Sequence, residues 1–79
     1  MSDKRNVYDI ADELLDVIYP AMGYEYMDNI RDTFYSCEES EYPDVIRCTI
    51  RSVKQTLLFE QRNLDIIPAL DALLSEVTD

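Results

Sequence analysis

Residues 44–62 read DVIRCTIRSVKQTLLFEQR, and whether this stretch is helix or strand decides the fold. Within it, Ile46, Arg47, Cys48, Thr49, Ile50 and Arg51 alternate and are rich in β-branched side chains, as a half-buried strand would be. Over a longer window, Val45, Ile46, Thr49, Ile50, Val53, Leu57 and Leu58 recur at spacings of three and four. No turn residue interrupts that run, and its length exceeds an ordinary strand. A strand here would also need a partner strand, and no other segment supplies one. The stretch therefore predicts a helix over 44–62.

Reading outward, residues 38–43 are an acidic loop, EESEYP, whose proline suits the first turn of the following helix. Upstream, Met27, Ile30, Phe34 and Cys37 form the apolar stripe of a helix over 24–37. Before it, Val7, Ile10, Ala11, Leu14, Leu15 and Ile18 mark a helix over 7–19, which Asn6 or Asp3 can cap and which Pro20 is expected to stop. Residues 20–23, PAMG, then make the turn. Downstream, a helix over 65–77 carries an apolar excess, so it is either central to the bundle or also covers a partner subunit, with Asp65 as its cap and Pro68 in its first turn. The expected fold is all-α, a small three- to four-helix bundle forming a single domain over residues 1–79.

A chain of 79 residues that is 47% hydrophobic, with one glycine and three prolines, has the composition of a folded domain. It holds no apolar run long enough to span a bilayer and no basic-then-apolar leader, so a cytoplasmic protein without membrane contact is expected. In that compartment Cys37 and Cys48 read as two reduced, buried thiols rather than a bridge.

Charge is laid out unevenly. Residues 1–41 hold 11 acids and 3 bases, residues 42–62 hold 2 acids and 4 bases, and residues 63–79 hold 4 acids and no base. On the first helix Asp9, Asp12, Glu13 and Asp16 form a row opposite the apolar stripe; on the second, Glu25, Asp28 and Asp32 repeat it. Neighbours at these spacings repel, so the rows cost helix stability. The bland reading is a solvated face; the functional one is a set of carboxylates presented to a basic partner. Glu38, Glu39 and Glu41 extend the acid into the loop, and Tyr24 stands beside it. Six tyrosines interleave with these acids and can supply contact area where the carboxylates supply orientation.

Catalytic chemistry finds little support. There is no histidine to act as a general base near neutral pH, and a single glycine cannot build a phosphate-cradling loop. Two cysteines eleven residues apart without histidine do not match a zinc site, and the acidic loop lacks the spacing and glycine of a calcium-binding loop. No enzyme activity, cofactor or metal is expected. The basic face of Arg47, Arg51 and Lys54 either neutralises nearby acids, meets an acidic helix in a homodimer, or holds a small anion such as a nucleotide. Direct nucleic-acid binding is disfavoured at a net charge of −10.

The leading expectation is a non-enzymatic binding protein whose acidic helices occupy a basic site on a partner, a nuclease or other nucleic-acid-binding protein, by imitating a phosphate backbone. In size, charge and lack of catalytic residues the chain is similar to phage-encoded inhibitors of host defence and to immunity proteins that neutralise nuclease toxins. That similarity is one of gross character, with no shared motif. The alternative is a self-associating helical subunit, a homodimer whose contact is Leu70, Leu73, Leu74 and Val77 and whose acidity serves solubility.

Overall fold

The computed structural model describes residues 5–78, and these are almost entirely helical. Four helices, α1 (Val7–Met22), α2 (Tyr24–Ser36), α3 (Tyr42–Glu60) and α4 (Ile67–Thr78), are joined by Gly23 and by two single 3-10 turns, Glu39–Glu41 and Leu64–Ile66. The fold is an all-α four-helix bundle. The ambiguous stretch at 46–51 is helix throughout, with Ile46, Thr49, Ile50, Val53 and Leu57 buried.

Asn6 caps α1 as expected, its side chain accepting from the Tyr8 backbone N–H at 2.8 Å; Asp3 lies outside the described residues. Pro20 does not stop the helix. It sits inside the last turn, and α1 runs three residues further to Met22. A proline lacks an N–H and crowds the carbonyl four residues back. Here that carbonyl belongs to exposed Asp16 and can turn to water, so the cost is tolerable near a helix end. Gly23 ends α1 instead, donating to Tyr19 O at 2.9 Å while adopting φ 93, ψ 165, and α2 begins at the next residue.

The core is built mainly by α1, α3 and α4. Leu14, Ile18, Ile46, Ile50, Val53, Leu57 and Leu70 have no exposed surface. By contrast α2 contributes a single fully buried residue, Phe34, with Met27, Ile30 and Cys37 only half-covered. The last helix also differs from expectation. Its apolar excess is Ala69, Ala72 and Leu64 left at the surface, while Leu70 and Leu73 are 0% and 1% exposed within the chain's own core. It begins at Ile67 rather than 65, because Asn63 takes a left-handed conformation and accepts from Ile66 N, making Asp65 part of a turn and not a cap.

Polar ties fix how the helices run. The Tyr8 and Tyr42 rings meet edge to face at 5.0 Å, so α1 and α3 start at the same end of the bundle. Arg5 reaches Glu76, bringing the end of α4 there as well, and Arg47 donates to Val77 O at 2.8 Å. At the opposite end Arg62 donates to Ala21 O, joining the α3–α4 connection to the close of α1. The helices therefore alternate up and down.

Candidate partner-binding surface

Packing leaves the acidic rows in water. Asp9, Asp12, Glu13 and Asp16 on α1, Glu25 and Asp32 on α2, and Glu38, Glu39 and Glu41 after it are all exposed; Asp28 is half-covered. What the structure changes is the distribution of compensating charge. Glu13 and Glu76 pair with Arg5, Asp28 with Arg31, Asp44 with Arg47, Glu60 with Arg62, and Asp71 with Lys54. The remaining carboxylates without a base among the described residues are Asp9, Asp12, Asp16, Glu25, Asp32, Glu38, Glu39, Glu41 and Asp65. All but Asp65 belong to α1, α2 or the turn that follows. Uncompensated charge is thus gathered on one half of the molecule.

The basic face of α3 is largely spent on the fold. Lys54 Nζ lies 2.6 Å from Asp71, and Arg47 is held by Asp44 and the Val77 carbonyl. Only Arg51 has no acid partner among the described residues, so the three bases do not form an anion pocket. Arg5 is bidentate on Glu76, which holds that carboxyl below its usual range.

Between α1 and α2 runs a groove of about 260 Å³. Tyr8 and Asp12 line it from α1, Arg31 and Tyr35 from α2, and Tyr42 from α3. The Tyr35 ring is 76% exposed, the most open of the tyrosines. Phe34 packs on Tyr42 at 4.8 Å and forms the floor. The Tyr8 hydroxyl donates to Glu39 Oε1 at 3.3 Å, placing a second carboxylate at the rim. Burial raises the Tyr8 hydroxyl pKa, and Glu39 adds to it; burial raises Tyr42 too, with smaller contributions that include Asp12 and Glu39. Each effect opposes placing another negative charge there.

Elsewhere, Glu41 Oε1 accepts from the Glu38 backbone N–H at 3.0 Å, so this loop carboxylate is turned onto its own turn. Tyr24 is 57% exposed and stacks edge to face on Tyr19 at 6.2 Å, at the far end of the bundle from Tyr8. The cysteines are free but not buried as expected: Cys37 is half-covered and Cys48 stands on the outer side of α3, off its apolar stripe.

Two of the four self-association residues inferred from sequence lie in the core. Leu70 and Leu73 are inside the core, and Leu74 and Val77 are half-buried against it. The exposed apolar side chains lie instead at the end of α3 and beyond, with Phe59 88%, Leu58 50% and Leu64 41% exposed. The spacing placed Leu58 in the apolar stripe of α3, but the buried face ends at Leu57, and Leu58 and Phe59 continue the apolar run past it. No described helix is long and apolar enough to cross a membrane. Comparison with protein-family models, curated proteins and solved structures finds no match, so the functional reading rests on this surface alone.

Proposed function

We propose that the protein is a non-enzymatic, cytoplasmic inhibitor that covers a basic, nucleic-acid-binding site on a partner protein, as anti-defence and nuclease-immunity proteins do. The observation that carries this reading is the segregation of uncompensated carboxylates onto α1, α2 and the following turn. The uncompensated row on α1, Asp9, Asp12 and Asp16, spans about 10 Å of helix axis at 1.5 Å per residue. That is about one charge per 5 Å, against about one per 3.4 Å along a single strand of B-DNA. A site evolved for phosphates meets a regular row of negative charge here, sparser than a phosphate strand but held on one helix. Exposed tyrosines beside the row add contact area that a solvated face does not need.

The test uses the immobilised protein and its Asp9→Lys/Asp12→Lys/Asp16→Lys variant. A nucleic-acid-binding protein retained after nuclease digestion, released by salt, displaced from its nucleic acid by the wild type and lost with the variant is the expected result. Equal retention by the charge-reversed variant overturns the reading.

Leu58, Phe59 and Leu64 favour a second reading, self-association through the end of α3. Light scattering at micromolar concentration tests it. A dimer that Phe59→Ser converts to monomer supports it, and a wild-type monomer removes it.

A further inference from the structure

We propose that the groove between α1 and α2 receives one arginine side chain of the basic partner, an inference that rests on the reading above and names its anchoring contact. The walls are aromatic, with Tyr8, Tyr42 and the open ring of Tyr35, and a cation gains from lying against such ring faces. One carboxylate, Asp12, lines the groove without a base partner among the described residues, and Glu39 stands at the rim on Tyr8. The base already present, Arg31, is engaged by Asp28 and lies 3.5 Å from the Tyr24 hydroxyl, so its charge is locally offset. At about 260 Å³ the groove falls below the roughly 300–1,000 Å³ of sites for drug-sized ligands and suits a single side chain.

Arginine fits better than lysine. A planar guanidinium can stack on Tyr35 while its fork engages the Asp12 carboxylate, whereas an ammonium is a strongly hydrated point charge without a flat face. Tyr35 has no evident task in the fold, being mostly in water, so this inference also accounts for a large aromatic side chain left there.

Titrating the full chain at low salt with acetyl-Ala-Ala-Arg-Ala-Ala-amide and its lysine counterpart, followed by amide chemical shifts, tests the site. The expected result is tighter binding of the arginine peptide, with shifts centred on Asp12, Arg31 and Tyr35. Tyr35→Ala is expected to weaken it about two- to fivefold and Tyr35→Phe to retain it, because the ring face persists. Asp12→Asn is expected to cost about tenfold, and Asp9→Asn, outside the groove, less than about twofold. Equal losses from Asp9→Asn and Asp12→Asn with no effect of Tyr35→Ala overturn the groove while leaving the acidic-surface reading standing. Absence of arginine-peptide binding at millimolar concentration also overturns it. Retention of the natural partner by the charge-reversed α1 variant strikes the broader reading separately.

Discussion

Gly23 is the narrowest constraint in the chain. It closes α1 and opens α2 with no intervening loop, at φ 93 and ψ 165, a backbone region that only glycine occupies without strain. A Cβ there would meet no atom within 4 Å, so the cost of a substitution is conformational rather than steric. Gly23→Ala is therefore expected to destabilise the fold by about 1–3 kcal/mol, read as a lower urea midpoint with an unchanged slope. Sequence marked the neighbourhood of this turn but chose the wrong residue. Proline's missing N–H was weighed as a stop, whereas near a helix end the bond it forfeits belongs to a carbonyl that water can reach. The demand for positive φ is a property of the junction and shows only once both helices are seen to abut. Contrasting substitutions separate core from surface in the same way. Leu70→Ala is expected to cost about 2–5 kcal/mol, whereas Phe59→Ala, at a side chain 88% exposed, is expected to stay within about 0.5 kcal/mol. Thermal unfolding of the two variants measures both.

At the scale of elements, the helices themselves were legible because their apolar spacing is regular and their interiors hold no glycine. Their ends and partners were less so. The strand-like alternation at 46–51 lost to a 3.6-residue period that persists to Leu57, and the burial of Ile46, Ile50 and Val53 follows that period. The excess of apolar letters in α4 misled because alanine counts as apolar yet leaves little surface to hide; Ala69 and Ala72 stand in water without consequence. Long-range pairing was not legible at all. Arg5 lies 71 residues from Glu76, yet the two clamp the start of α1 to the end of α4. The clamp gives a pH dependence of definite sign. Glu76 has its folded pKa lowered, chiefly by the Arg5 hydrogen bond, so its contribution is fully present above the unfolded carboxylate value of about 4.3. It is lost as pH falls through the lower, folded value. Urea midpoints of wild type and Glu76→Gln are expected to differ at pH 7 and to converge below that folded value. The gap should also narrow in high salt, since the pair is partly exposed to solvent.

For the molecule as a whole, the acidic surface and the stability of the fold pull in opposite directions. The row on α1 was visible in the sequence, but its isolation was not, because isolation depends on which acids the few bases capture after folding. Asp12 and Asp16 face each other at a spacing of four, and Asp12 with Asp9 and Asp16 with Glu13 at a spacing of three. Like-charge pairs at such spacings each destabilise a helix by about 0.2–0.5 kcal/mol. Asp9 lies in the first turn of α1 and gains from the helix dipole, whereas Asp12 and Asp16 lie beyond that turn and have no such compensation. The double substitution Asp12→Asn/Asp16→Asn removes three repulsive pairs and keeps the favourable one at Asp9. It is expected to stabilise the protein by about 0.5–1.5 kcal/mol, a rise in Tm of several degrees for a domain of this size. Added salt should raise the wild-type Tm by screening the same repulsion and should narrow the difference between the two proteins. Binding to the basic partner is expected to weaken in the same variant. A surface whose neutralisation improves the fold while impairing recognition is one held for its partner. If the double variant instead melts lower than wild type, these carboxylates serve the fold, and the charge row loses its claim to be an interface.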